Sequence, residues 1–496
     1  MANEHIEFAG DYNLSSIVLH NHQNQGVLST TKGIDIKALV VEFNIYESMF
    51  SNALVGSLVV NDTLNLIANL PIQGTERVSF KLSTPGAHQA SHIVDCTDES
   101  GHPMHIYKLT NRVQANDNTQ QYTLHFCSRE LYRSLRTKVS QSYSGRMDQM
   151  VLSIFGDENY LDSRKQLNYQ RTRNQDKIVI PNLEPFQAIK MLCKRALADD
   201  SKSAGFFFFE TTKGFHFRSF ESFCVDSRGN PRPVKGVFRY NQVNMSDSNL
   251  SNKMKFDYES VESYSFVENF HDVLANTALG TYGHRVITHN IFNKSYREDD
   301  YHYHSHFSDT KHTDGPNPAI VNTPVDFDDK TISDYPESKV TLIPTTQYAH
   351  GEDTGNYGID VEQDGKLYGQ LEAQENQVLS GTKLVMTVKG QSLMQVGDVI
   401  QFDLISVENK VNSGGALDPQ YSGRYVITKI RHRVVDASYK QVFECVKDSV
   451  ARDFQSDRIR TFPGKQPKNK KGYSQDINQY DDIATTGAKK GYSFGL

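Results

Sequence analysis

The chain has 496 residues, 53 of them basic and 59 acidic, and its net charge of −6 argues against a general nucleic-acid-binding surface. This length exceeds one hydrophobic core, and about 150 residues per domain gives three or four domains. No apolar run approaches the roughly 18 residues of a membrane span, and the N-terminus lacks the basic and apolar regions of a secretory signal. Five widely separated cysteines argue against a disulfide framework and indicate reduced thiols made in a cytoplasm.

Alternating apolar and polar positions dominate the first 145 residues, as is typical of half-buried strands. Val41, Phe43 and Ile45 alternate with polar residues in the first such segment. Gly56 lies inside the second, which indicates a bulge or a close backbone approach. The predicted strands cover residues 36–46, 54–60, 78–82, 106–113 and 122–127, and a helix is predicted to begin after Ser128.

The apolar period changes after residue 145, where Met147, Met150 and Ile154 recur at helical spacing. Pro185 suits the first turn of a second helix, because its missing N–H is not needed there. Residues 177–180 are predicted to form a strand, and the Phe-rich segments 205–210 and 214–220 a hairpin. Together these elements predict an α+β insert of about 90 residues.

The pattern weakens between residues 241 and 368, where strands are predicted at 253–258 and 284–291 and where much of 298–334 is polar and loop-like. Clear alternation returns at 383–388, 399–404, 424–432 and 440–446. Residues 456–496 hold eight basic and four acidic residues among Gly, Pro, Asn and Ser, a composition that predicts a flexible basic tail. The chain before this tail therefore carries a net charge of −10.

Two distant parts of the chain follow one template. Residues 76–82 match residues 398–404, and each segment comes directly after a turn that contains glycine. Further on, residues 107–110 match residues 425–428, and Tyr122 and Tyr439 each open a last strand. Four matches in the same order predict a duplicated β-barrel unit. Three copies of such a chain would present six similar units around one axis, so a symmetry adaptor is a natural hypothesis.

Several of these segments resemble one family. FNIYESMF at 43–50, LVGSL at 54–58 and LPIQGTE at 70–76 resemble the first tube domain of baseplate hub proteins of contractile-tailed phages. Their middle domain is similar to IPNLEPFQAI at 180–189 with GFFFFE at 205–210 and GFHFRS at 214–219. Their second barrel resembles VGDVI at 396–400 with SGRYVI at 422–427 and His432. Related hubs form the head of type VI secretion spikes, in which a long spike segment follows in the same chain.

The resemblance implies a β-dominated α+β fold with two tube-type antiparallel barrels and an α+β insert between them. The expected parts are a first barrel (1–145), the insert (146–240), a connecting region (241–370), a second barrel (371–455) and the flexible tail (456–496). It also implies a non-enzymatic virion protein without cofactors, made in the host cytoplasm, whose spike is a separate protein. Its implied partners are two further copies, the central spike, the tail tube and baseplate wedge proteins, and DNA would pass through the lumen without specific binding.

We expect the ring contacts of such a hub on edge strands, because pairing between copies would satisfy their open hydrogen-bonding groups. The candidate interface residues are Val59, Leu64, Leu66, Leu70, Met386 and Leu393. The acidic body fits a wall that does not hold DNA phosphates. Two alternative functions stay open, a tail-associated cell-wall hydrolase and a receptor-binding module.

Two motifs raise the question of a metal site or a catalytic site. His302, His304 and His306 would lie on one face of a strand, where they could hold zinc or iron, whereas the alternative interpretation is an exposed polar loop. The sequence GYSFG at 491–495 has the spacing of a nucleophile elbow, but only one residue follows it, so the required helix is absent. No phosphate loop, dinucleotide fingerprint or metalloprotease motif is present, and no catalytic residues are predicted.

Overall fold

The computed structural model describes residues 8–20, 33–69, 72–84, 93–173, 175–201, 203–240, 250–267, 272–290, 294–325, 329–345, 381–406 and 417–451. Strands dominate the secondary structure of these residues. The predicted basic tail at 456–496 and the GYSFG motif lie outside the described residues.

The described residues form 24 strands. Those of the first part are β1 (Asn13–His20), β2 (Ile34–Asp35), β3 (Val40–Ser48), β4 (Val55–Asp62), β5 (Arg77–Ser83), β6 (Ile93–Cys96), β7 (Met104–Asn116) and β8 (Thr119–Cys127). The middle part contains β9 (Val139–Arg146), β10 (Leu167–Tyr169), β11 (Gln175–Leu183), β12 (Phe206–Thr211), β13 (Gly214–Ser219) and β14 (Gly236–Tyr240). The remaining strands are β15 (Val261–Val267), β16 (Gly283–Asn290), β17 (Ser295–His302), β18 (Asn317–Pro318), β19 (Val340–Thr345), β20 (Thr382–Lys389), β21 (Val399–Leu404), β22 (Gly423–Val435), β23 (Ser438–Lys447) and β24 (Ser449–Val450).

The helices are short and lie mostly in the middle of the chain. The described α-helices are α1 (Leu66–Asn69), α2 (Arg129–Arg136), α3 (Met147–Gly156), α4 (Pro185–Cys193), α5 (Glu221–Cys224), α6 (Leu250–Glu259), α7 (Val273–Ala278) and α8 (Tyr303–His306). The predicted helices after Ser128, at 147–154 and at Pro185 are confirmed as α2, α3 and α4. The predicted Phe-rich hairpin is confirmed as β12 and β13.

One prediction in the weakly patterned region is wrong. Residues 253–258 lie in helix α6 instead of a strand, and Lys255 and Glu259 form an ion pair at the four-residue spacing that a helix supplies. Much of the described part of 298–334 is loop as predicted, but its first residues belong to strand β17, which pairs along its length with β16. Its polar residues suit a strand here since Arg285 donates to Asp300 across the pair at 2.7 Å.

Fourteen strands form one sheet, in which β15-β20-β23-β22-β3-β4-β8-β7-β5-β1-β2 are consecutive neighbours. Strand β21 adds to β22, β14 adds to β21, and β6 adds to β5. A single parallel bridge from Arg239 in β14 to Ser260 brings the end of this branch next to β15. The sheet therefore curves back on itself in its second half.

The sheet contains the same strand order twice. We call β3-β4-β8-β7-β5 the first set and β15-β20-β23-β22-β21 the second set. Strands β7 and β22 are both 13 residues long, and each has a bulge at the same place, between Ile106 and Lys108 and between Ile427 and Lys429. Strand by strand, β3 therefore corresponds to β15, β4 to β20 and β7 to β22.

The hydrogen-bonded register corrects two predicted matches. Tyr122 corresponds to Gln441 and not to Tyr439, because Thr123 corresponds to Val442. Cys127 pairs with His105 and Val446 pairs with Val426, which makes Tyr107 equivalent to Thr428 and not to Tyr425. A slip of three residues turns a side chain to the other face of a strand. Accordingly, Tyr107 is 46% exposed, whereas Tyr425 is fully buried.

Each set covers a hydrophobic core of its own. The first core packs Phe43, Phe80 and Phe126 together, with ring centroids 4.9 to 6.1 Å apart. A Cβ atom on Gly56 would come within 2.2 Å of the Phe126 ring and within 2.5 Å of the Asn44 carbonyl oxygen, so the predicted close backbone approach is confirmed. The second core contains Phe402 and Phe443. A third core lies between α3, α4 and the β12–β13 hairpin.

A buried charge cluster ties the third core to the first set. Glu210 on β12 accepts a hydrogen bond from the Leu54 N–H at 2.8 Å and contacts Lys165 Nζ at 2.5 Å. Lys165 also lies 3.0 Å from Glu130 on α2. Burial disfavours the ammonium ion, but the two carboxylates outweigh it and raise the pKa of Lys165. Against the effect of burial, Lys165 lowers the pKa of Glu130, whereas burial still raises the pKa of Glu210, so the cation only partly offsets the cost of burying the two carboxylates.

Replacing Lys165 with methionine is expected to lower the free energy of unfolding by about 3–5 kcal/mol at neutral pH, because two buried carboxylates lose their cation. Without the cation, a carboxyl pKa in the folded state rises above its unfolded value. Such a group costs stability as the pH rises, so the loss should be smaller at pH 5 than at pH 8. Urea unfolding followed by circular dichroism at both pH values measures this difference.

Lys138→Met is the matched control, because Lys138 makes a half-exposed ion pair with Glu184 at 3.0 Å. Loss of such a surface pair should cost less than about 1 kcal/mol. An equal, pH-independent loss in both variants would contradict the role assigned to Lys165.

Candidate functional site

The two sets meet along one pair of strands, which we call the seam. Strand β22 of the second set runs antiparallel to β3 of the first, from Lys429 opposite Ser48 to Val435 opposite Glu42. The paired residues are almost 400 positions apart in the chain. The seam makes eight strands, from β15 to β7, into one continuous surface.

Ion pairs stabilise the face of the seam that points away from the cores. Glu42 accepts hydrogen bonds from Arg431 and Arg433, each at 2.9 Å. The pKa of the Glu42 carboxyl is lowered, and the main cause is the hydrogen bond that Arg433 donates. Arg431 also donates to Asn44 at 2.9 Å and lies over the Tyr46 ring. One carboxylate thus bridges two arginines of the neighbouring set.

The core side of the seam is held by Glu47, whose carboxylate is fully buried. It accepts hydrogen bonds from the N–H groups of Val396 and Thr212, both at 3.0 Å, and lies 3.4 Å from His432. Burial would raise the pKa of Glu47, but its contact with His432 and the two backbone donors lower it. His432 in turn contacts the Tyr439 hydroxyl at 2.7 Å. Glu47 therefore joins the first set, the second set and the turn after β12.

Among the described residues, the strands equivalent to those of the seam are unpaired along most of one side. Beyond His105, strand β7 pairs only with β8 among the described residues, and β15 pairs along its length only with β20. Val113 on β7 is 60% exposed and Val267 on β15 is 39% exposed. We call β7 and β15 the free edges. Unpaired strand edges are ready to add a further strand.

The repeat fixes how the two free edges would match. Thr110 on β7 corresponds to Arg431 on β22, because Thr123 and Val442 are their partners at equivalent positions. By the same reasoning, Val267 on β15 corresponds to Tyr46 on β3. Arg431 and Tyr46 face each other across the seam. The equivalent contact between two copies of the chain would place Thr110 opposite Val267.

The interface residues predicted from the sequence do not lie on edge strands. Val59 is in β4, which pairs with both β3 and β8, and Met386 is in β20, which pairs with both β15 and β23. Met386 and Leu66 are buried, Leu393 and Val59 are half-buried, and Leu64 is 59% exposed. Leu70 lies outside the described residues. Val59 and Met386 are therefore not on edge strands, because neighbouring strands cover both sides of β4 and β20, and a role of the six residues in ring contacts stays a prediction.

Sequence reasoning missed the free edges although a signal was present. Residues 42–46 and 263–267 share one alternation, polar, aromatic, polar, apolar and then an outward side chain. Extending the repeat to this pair would have identified β15 as the equivalent of β3 in the second set. The match was missed because it is short and because polar segments lie between the two stretches.

The three histidines do not share the face of a strand. His302 ends β17, whereas His304 and His306 lie on the helical turn α8. His304 uses both ring nitrogens, at 2.6 Å from Ser333 Oγ and 2.9 Å from the Ile320 carbonyl, and His306 contacts the His302 carbonyl at 2.9 Å. Within the described ranges, no three His, Cys, Asp or Glu side chains are arranged to hold a metal ion. The predicted metal geometry is therefore wrong.

A further histidine near these three, His312, has a structural role. His312 is buried, stacks on the Phe307 ring at 3.6 Å between centroids, and pairs with Asp448 at 2.9 Å. Burial opposes its charge, but Asp448 raises the pKa of His312. This pair fastens the region after α8 to the end of β23.

No α-helix in the described part of the chain is long and apolar enough to cross a membrane.

Comparison with known proteins agrees with the resemblance found in the sequence. The chain is 20% identical over 435 residues to the probable baseplate hub protein gp334 of Vibrio phage KVP40, which covers 84% of this chain and 93% of that protein. The chain resembles a phage baseplate hub protein. The predicted resemblance is thereby confirmed. No protein-family model matches the chain.

Solved structures of phage tail proteins align at lower similarity. The 43 kDa tail protein of prophage MuSo2 from Shewanella oneidensis is 10% identical with a TM-score of 0.47, covering 88% of this chain and all of that one. A tail protein from Neisseria meningitidis MC58 is 10% identical with a TM-score of 0.49, covering 89% and 98%. The E. coli c3393 protein, a type VI secretion component, has a TM-score of 0.39 and 10% identity, covering 83% and 74%.

Proposed function

We propose that the chain is a structural, non-enzymatic baseplate hub of a contractile phage tail, and that three copies close into a ring. The observation that carries this proposal is the seam. Within one chain, β22 pairs with β3. Their equivalents β7 and β15 have free edges. Pairing β7 of one copy with β15 of the next repeats the seam between copies, and a heterologous contact of this kind closes into a ring when the rotation allows it.

A ring of three copies would have a lumen wide enough for a DNA duplex. Each copy would contribute the eight strands from β15 to β7, so three copies give a closed sheet of 24 strands. With about 4.8 Å between strands and a tilt of up to about 40°, the sheet has a radius of roughly 18–24 Å. A lumen of that width accommodates a DNA duplex.

The two faces of the sheet have different surroundings. The first and second cores, with β1, β5, β14 and β21, cover one face. Two packed sheets are about 10 Å apart, so three copies of both cores would overfill a cylinder of this radius. The covered face must therefore be outside, and the open face, which carries Glu42 and Arg431, lines the lumen.

The same arrangement explains how such a hub could join two symmetries. Six similar strand sets around the axis match a six-fold tail tube, whereas the third core occurs once in each chain and so three times in the ring. We assign the tube to the six-fold face, the central spike to the three-fold face and baseplate wedge proteins to the outside, in the virion. In this proposal residues 1–145 and 371–455 form tube-type barrels, with 146–240 as the insert between them.

Electron microscopy of the purified full-length protein tests the proposal. Class averages viewed down the axis should show a three-fold ring with six similar inner lobes around an open lumen. Single particles without a ring, or rings with another number of copies, would overturn it.

A further inference from the structure

The open face of the eight-stranded sheet is more basic than the chain as a whole. Its side chains point away from both cores and alternate with buried residues along each strand. The charged residues among those described on this face are Lys108, Lys383, Lys389, Lys429, Arg431, Arg433 and Lys440 against Glu42, Glu262 and Glu444. This face therefore carries a net charge of +4, whereas the chain before residue 456 carries −10.

Ion pairs use only part of this positive charge. Glu42 bridges Arg431 and Arg433, and Glu262 bridges Lys389 and Lys440, so each of these two carboxylates serves two cations. Glu444 pairs with Lys429 at 2.9 Å. The acidic residues hold the basic side chains in place across neighbouring strands without neutralising the face.

One lysine occurs at the same position in both sets. Lys108 lies opposite His125 on β8, and Lys429 lies opposite Glu444 on β23, directly after the bulge that the two strands share. Since β7 and β22 are equivalent strands, a ring of three copies would hold six of these lysines at one height. Their ammonium groups would project into the lumen at about equal intervals.

We propose that this open face contacts the phosphate backbone of DNA, with the ring of Lys108 and Lys429 as its most regular element. The inference rests on the proposed function, which places the face in the lumen. It revises the expectation of a wall without affinity for phosphate, because the acidic residues lie elsewhere on the chain. The contact carries no sequence information, since lysines that face a backbone read only charge and spacing.

A salt series tests this inference. The full-length protein and the variant K108Q/K429Q are titrated against a labelled 30-base-pair duplex by fluorescence anisotropy at several salt concentrations. Each lost phosphate contact lowers the slope of log K against log salt by about 0.9, so the double variant should lower it by about 2 for a single chain and by up to about 5 for a ring whose six lysines all contact the duplex. The matched control is K190Q/K194Q, which removes the same charge from exposed lysines near the third core and should leave the slope unchanged.

The outcomes separate this inference from the proposed function when the mass of each sample is measured in parallel. Trimers whose DNA binding is unaffected by K108Q/K429Q would overturn the inference and leave the ring intact. An equal loss of binding in both double variants would also overturn it, because net charge alone would then explain the binding. Monomers would overturn the ring, and a reduced slope in their K108Q/K429Q variant would still support the basic face.

Discussion

Cysteines placed at Thr110 and Val267 of the same chain are expected to cross-link copies into covalent dimers and trimers and no larger species. These residues correspond to Arg431 and Tyr46, which face each other across the seam. Facing residues of antiparallel strands have Cα atoms about 4.5–5.5 Å apart, which suits a disulfide. A ring that closes at three leaves no free edge for a fourth copy. Mild oxidation followed by non-reducing electrophoresis gives the size of the products.

The chain offers a clean background for this experiment. All five native cysteines are buried, and burial raises the pKa of the Cys96 and Cys127 thiols to about 12. The single variants T110C and V267C control for chance collisions. R431C/Y46C should close a bond within one chain and shows that the seam geometry permits oxidation. If R431C/Y46C oxidises while T110C/V267C stays monomeric, or if the ladder continues beyond three copies, the assigned contact is wrong.

Replacing Glu47 with alanine should lower the free energy of unfolding by about 3 kcal/mol or more. The carboxylate is the acceptor for the buried N–H groups of Val396 and Thr212, and each donor left without a partner costs about 1–3 kcal/mol. His432 would also lose its neighbouring negative charge. Urea unfolding followed by circular dichroism measures the loss.

Two further variants serve as comparisons for the loss of stability in E47A. E47Q keeps the volume and one acceptor oxygen, so it should lose less than E47A. E444A removes the surface partner of Lys429, and loss of such a pair should cost at most about 1 kcal/mol. If E47A loses no more than E444A, Glu47 does not hold the seam together.

Local patterns in the sequence predict most of the strands but not how they pair. Alternation along residues 36–46 and 424–432 follows from one buried face, so each strand could be recognised alone. Their pairing at the seam depends on residues almost 400 positions apart and leaves no local signal. The free edges were missed because the short match between residues 42–46 and 263–267 was overlooked, and because an edge is defined by the strands that are absent beside it.

Two predictions relied on residues of the same type and were wrong. Tyr107 and Tyr425 share a residue type, but the bulge shared by β7 and β22 gives them different positions and opposite exposure. The histidines suggested a strand because they alternate, whereas Tyr303 and Phe307 lie four residues apart and pack at 5.4 Å between centroids. That aromatic spacing is the helical signal in the segment, and packing against Tyr282 stabilises the turn.

The mass of the purified full-length protein by light scattering tests the central claim most directly. Pairing of β7 with β15 between copies predicts three times the 56.2 kDa mass of the chain at micromolar concentration. The T110C/V267C variant should have the same mass before oxidation. A protein that stays at 56.2 kDa, with and without its spike protein, would contradict the ring and the function built on it.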